Sequence, residues 1–157
     1  KVVALGGKAM FPYLVDSNTG RSLYESGDII RYLAETYGDG RVPLSLRLGP
    51  LTVASSSFAS LWRTGHGGAA RPSRAPEKPL ELWSMDGSPY SRLAREALCE
   101  LELPYLLHNV APGSSKREAL KARAGRYTVP YLFDPNTDRA MHESADIVRY
   151  LRDTYGA

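Results

Sequence analysis

The chain has 157 residues, 43% of them hydrophobic, and a net charge of +3, enough for one domain or two small ones. A single cysteine, Cys99, excludes an intrachain disulfide, a dithiol centre and a cysteine-based zinc site, and without a run of about 18 apolar residues no membrane-spanning helix is expected. The basic excess collects at Arg63, Arg71, Arg74 and Lys78, in a Gly/Pro-rich stretch that reads as a solvated linker and not as a nucleic-acid face.

In chain order, residues 12–23 read as a short hairpin and the segment after Ser26 as a helix. Leu51, Ala54, Phe58, Leu61 and Trp62 recur at helical spacing, and residues 64–78 follow as a flexible spacer. Residues 80–84 are a strand that ends in the turn Met85-Asp86-Gly87. Ser88 before Pro89 has the form of an N-cap with a first-turn proline. Ala94, Ala97, Leu98 and Leu101 make the apolar stripe of the helix that follows, which ends before Pro104. Cys99 within it is expected to be buried and inert. Residues 105–110 are a second strand, and 114–124 a short basic helix closed by Gly125. Residues 130–133 and 139–142 are strands joined by the turn from Asp134 to Asp138. Ser144 is expected to cap a last helix whose buried stripe is Ile147, Val148, Leu151 and Tyr155. The order βαβαββα is an α/β fold with a thioredoxin-like layout: a four-stranded mixed sheet with helices on both faces.

The chain also repeats itself. Residues 12–38 align without a gap on residues 130–156, 118 positions later, with 17 identities in 27. A match of that length marks a duplicated folding unit. The counterpart of Ser88 would fall before Lys1, so the expected organisation is the C-terminal half (ββα) of a first copy in residues 1–40, a connecting helix and linker in 41–79, and a complete copy in 80–157. Half a sheet buries little apolar surface and leaves an open edge, so the first copy is not expected to be stable alone.

Three motifs of the second copy, Gly87-Ser88-Pro89-Tyr90-Ser91-Arg92, Val129-Pro130-Tyr131-Leu132 and His142-Glu143-Ser144-Ala145-Asp146-Ile147, resemble the N-terminal, glutathione-binding domain of glutathione transferases. Glutaredoxins share this fold. The tandem arrangement resembles plastid proteins of plants and algae that carry two such domains, which implies a chloroplast location. Where glutaredoxins have Cys-Pro-Tyr-Cys this chain has serine at both cysteine positions, Ser88 and Ser91, so thiol–disulfide exchange is excluded there.

The resemblance implies glutathione as the bound cofactor or ligand. On that reading Ser88 is the catalytic residue, donating a hydrogen bond to the glutathione thiolate as in serine-type transferases, and the plain alternative is an N-cap. Val129 and Pro130 match a cis-proline turn whose backbone pairs with the cysteinyl part, against a simple strand-entry turn. Glu143 and Ser144 would hold the γ-glutamyl end, against a second cap with a favourable charge. Lys116 falls where relatives place a lysine for the glycine carboxylate, against a solvated helix face. His108 and His142 are assigned to no metal.

Transferases of this kind carry an all-helical domain after the thioredoxin-like one, and residues 51–62 are too few to replace it. Two functions follow: a glutathione-binding protein able to conjugate the tripeptide to an electrophile, or a non-catalytic subunit of a larger assembly, possible in a plastid, that docks through its incomplete half. No nucleic-acid partner is expected.

Overall fold

A computed structural model of the chain describes residues 2–42 and 69–157, and the helical stripe read at 51–62 lies outside them. The chain divides into two compact units, residues 1–63 and 64–157.

The second unit contains β3 (Leu80–Ser84), α3 (Pro89–Glu100), β4 (Tyr105–Asn109), α4 (Lys116–Ala124), β5 (Tyr131–Asp134), β6 (Arg139–His142) and α5 (Ser144–Tyr155). The strands form a sheet in the order β4-β3-β5-β6. β3 and β4 are parallel, as their helical crossover requires, while β5 is antiparallel to both β3 and β6. The mixed four-stranded sheet read from the sequence is therefore present.

Side-chain alternation along the strands builds two cores. Leu80, Leu82 and Leu132 point to one face and pack with Ala94, Ala97, Leu98 and Leu101 of the α3 region and with Ile147 and Leu151 of α5. Trp83 and Tyr131 point to the other face and pack with Val110 and Leu120 of α4. The α5 stripe includes Tyr150, buried, whereas Val148 is only partly buried. Cys99, expected inside, is exposed, because it falls on the outer side of α3 between the buried Leu98 and Glu100.

The first unit contains a short α1 (Val2–Gly6), the antiparallel hairpin β1 (Tyr13–Asp16) and β2 (Arg21–Tyr24), and α2 (Ser26–Tyr37). The duplication extends further back than the sequence match. α1 corresponds to the end of α4, and Gly7 at φ 76 corresponds to Gly125 at φ 74, each in the left-handed region that closes a helix without a Cβ penalty. The proline peptides Phe11–Pro12 and Val129–Pro130 are both cis.

Asp134 sits at the end of β5 and is fully buried. The hydroxyls of Tyr150 and Tyr155 each donate to Oδ2 at 2.5 Å, and the backbone N–H and side-chain amide of Asn136 both donate to Oδ1 at 2.8 Å. Asp16 repeats the arrangement in the first unit with Tyr32, Tyr37 and Asn18. Four donors on one carboxylate fasten the hairpin to the helix that follows it.

Residues 71–78 are not a loose spacer. They are hydrogen-bonded along the second unit, to Glu100, Leu101, Tyr155 and Asn136. Composition missed this because the Arg and Ser residues that look solvated serve the carbonyls of two helix ends.

Candidate functional site

At the N-terminal ends of α3 and α5 the second unit has an open cleft of about 370 Å³, lined by Tyr90, Thr128, Val129, Pro130, His142, Glu143 and Ser144. Four of the residues singled out in the sequence, Val129, Pro130, Glu143 and Ser144, thus meet in one place. The volume lies in the range of small-molecule pockets.

Glu143 has φ 66 and ψ 117, a backbone conformation unusual for any residue with a Cβ, and Glu25 in the first unit has the same angles. Glu143 is itself the residue flanking α5, and Ser144 is the first helical residue. The expected Ser144 N-cap is therefore displaced by one position, and the Glu143 side chain makes no capping hydrogen bond. The side-chain cap expected at this pair is absent, while the Glu143 carboxylate still stands beside the positive end of α5. The turn leaves the Glu143 side chain 71% exposed, with Arg126 Nη2 3.7 Å away. Ser144 is buried.

Val129 and Pro130 precede β5, and the β3–β5 ladder ends at Trp83 opposite Tyr131. Their backbone lies beyond the sheet pairing, at the cleft wall.

Ser88 is buried and caps α3: its Oγ accepts from the Ser91 N–H at 3.2 Å, with Pro89 at the first helical position. It is not among the cleft-lining residues, although its neighbour Tyr90 is. Capping uses a lone pair of the hydroxyl and leaves its proton available. Ser91, at the other cysteine-equivalent position, is fully buried inside α3. Lys116 is exposed at the start of α4 and lines no part of the cleft.

Tyr90, Thr128 and His142 belong to the cleft but were given no role in it from the sequence. Tyr90 and His142 stand within the motifs quoted above, and Thr128 immediately precedes one of them. Thr128 Oγ1 lies 3.3 Å from His142 Nδ1, and the imidazole packs on Tyr131 at 4.8 Å between ring centres. Burial, reinforced by the Arg126 guanidinium, pushes the His142 pKa down and favours a neutral ring at pH 7. Among the described residues, no group of three or more His, Cys, Asp or Glu side chains could hold a metal ion. No helix among them is long and apolar enough to cross a membrane.

The family model for the glutathione S-transferase N-terminal domain matches residues 1–41 and 82–157, which takes in both units. The chain belongs to this family. In a glutathione S-transferase the tripeptide is a substrate, which corrects its reading as a cofactor. Similar solved structures include a diazinon-metabolizing glutathione S-transferase of the silkworm Bombyx mori, 28% identical over 49% of this chain and 38% of that one, with a TM-score of 0.43. The Tau class glutathione S-transferase of mango, Mangifera indica, is 27% identical over 50% of this chain and 34% of its own, with a TM-score of 0.41. A glutathione S-transferase of Ceriporiopsis subvermispora, solved in complex with glutathione, is 22% identical over 49% and 38%, with a TM-score of 0.41. The chain spans little more than a third of the length of these structures, 38%, 34% and 38%. No curated protein matches it.

Proposed function

We propose that the second unit binds glutathione in the cleft, with Glu143 pairing with the γ-glutamyl ammonium and Ser144 with the α5 N-terminus holding its carboxylate. Val129 and Pro130 align the tripeptide backbone, while Lys116 lies off the cleft wall. The observation that carries this reading is the convergence of Val129, Pro130, Glu143 and Ser144 on one cleft, with the Glu143 side chain exposed there.

Chemistry beyond binding would be attack of the glutathione thiolate on an electrophilic carbon, forming a carbon–sulfur bond as the bond to a leaving group breaks and that group departs with its electron pair. The Ser88 hydroxyl proton and the positive end of α3 would favour the ionised sulfur. Serine at both cysteine-equivalent positions leaves no thiol for disulfide exchange.

Isothermal titration of the whole chain with glutathione is the test. Saturable binding, weakened about tenfold or more by Glu143→Ala, is the expected result, because a charge-assisted contact of this kind is worth about 1.5–3 kcal/mol. Absence of binding at millimolar glutathione would overturn the proposal. A second reading, a docking subunit without turnover, is favoured by Val15, Leu33 and Tyr37, which stay exposed in the first unit. It predicts no conjugation with general electrophiles and a stable complex with other subunits.

A further inference from the structure

Arg71, Ser73, Arg74 and Lys78 tie the stretch before β3 to three elements of the second unit. The Arg71 N–H donates to the Glu100 carbonyl at 2.7 Å, and its Nε lies 3.1 Å from the Glu100 carboxylate. That carboxylate is buried and also faces Arg152 at 3.6 Å. Ser73 Oγ donates to the Leu101 carbonyl at 2.6 Å, and Ser73 forms an antiparallel bridge with Gly156. The Arg74 N–H donates to the Tyr155 carbonyl at 2.8 Å and its guanidinium to the Thr154 carbonyl at 3.1 Å. The Ala157 N–H returns a bond to the Pro72 carbonyl at 3.2 Å. Lys78 and Asn136 exchange two bonds, Lys78 N–H to Oδ1 at 2.8 Å and Nδ2 to the Lys78 carbonyl at 3.0 Å.

Helix ends leave carbonyls without intrahelical donors and carry partial negative charge. Here the ends of α3 and α5 receive N–H, hydroxyl and guanidinium donors from one strap. Prolines at 72, 76 and 79 limit the conformations the free strap can adopt, which lowers the entropy lost when it is fixed. Asn136 also donates to Asp134, so the strap reaches the carboxylate on which Tyr150 and Tyr155 converge. The cleft lies at the N-terminal ends of the same two helices, about 18 Å away along 12-residue helices.

We propose that residues 71–79 are a clamp belonging to the second unit. It holds the C-terminal ends of α3 and α5 together and against the β5–β6 turn. Its release is a local opening of that pole which leaves the cleft residues in place.

Limited trypsin digestion of the native whole chain tests this. Trypsin does not cut before proline, so Arg71–Pro72 and Lys78–Pro79 resist it and Arg74–Ala75 reports on the strap. Cleavage there should be at least about tenfold slower than in a synthetic peptide of residues 69–79, since a bond held in structure is cut only from its open form. Ser73→Ala combined with Arg71→Gln should raise the native rate at least about tenfold, the effect of losing one neutral and one charged contact, with the near-ultraviolet circular dichroism unchanged. Equal rates in chain and peptide would overturn the clamp. So would a double variant cut no faster than the parent. The chain-against-peptide comparison decides the question even should the double variant fold poorly.

Discussion

Asp134 shows how a single side chain can hold an element in place. Burial alone would raise its pKa, but hydrogen bonds from Tyr150, Tyr155 and Asn136 outweigh it and hold the carboxyl below its ordinary 3.8. A depressed folded-state value means that the stability it contributes is fully present above about pH 4. That stability is lost as the pH falls through the folded value. Asp134→Asn should therefore flatten the acid limb of a stability-against-pH curve. Asp134→Ala should cost about 3 kcal/mol at neutral pH, read from urea unfolding, because it removes the charged acceptor that the Tyr150 and Tyr155 hydroxyls share. The tyrosines carry the reciprocal shift: burial, then the Asp134 carboxylate, pushes the Tyr155 pKa well up. Sequence spacing revealed the repeated Asp, Asn and Tyr residues without revealing that they meet. The same limit explains Ser144, whose type suggests a cap but whose helix begins one residue earlier than a cap allows.

Among the elements, α3 was the most legible, because Ser88 before Pro89 carries a local signal and its cap bond is present at 3.2 Å. Ser88→Ala should cost about 1 kcal/mol of stability through the cap alone. A fall in thiolate formation of bound glutathione, followed by ultraviolet absorbance of the thiolate, would be the added loss if Ser88 also meets the sulfur. The two copies of the hairpin give a second comparison. Leu132 is fully buried beneath α3 and α5, whereas its counterpart Leu14 is only half-buried. Leu132→Ala should cost about 3 kcal/mol and Leu14→Ala clearly less, since the cost of a cavity grows with the packing around it. Chemical denaturation of the two variants, side by side, measures the difference.

For the whole molecule, duplication of sequence did not produce duplication of burial. In the second unit Ile147, Leu151 and Tyr155 are buried, while their counterparts Ile29, Leu33 and Tyr37 are half-buried or exposed. The first unit keeps its hairpin and helix fastened through Asp16, whose carboxyl is pulled well down by hydrogen bonds from Tyr32 and Tyr37. Backbone amides of β1 should accordingly exchange with deuterium faster than those of β5, by about two orders of magnitude or more, because β5 is paired on both sides and covered on both faces. Equal protection of the two strands would show that the first unit is completed by something outside the residues described.

The order of elements, the repeat, the two serines in place of cysteines and the family resemblance all follow from the sequence, because each is carried by residues close together or by an exact periodicity. Tertiary structure alone brings Val129, Pro130, Glu143 and Ser144 to one cleft with Thr128 and His142, leaves Lys116 off its wall, turns Cys99 outward and fastens residues 71–78 to two helix ends. The physical reason is the same in each case. Contacts between residues far apart in the chain depend on how the sheet stacks its helices, and composition carries no record of which carbonyl a distant arginine will reach.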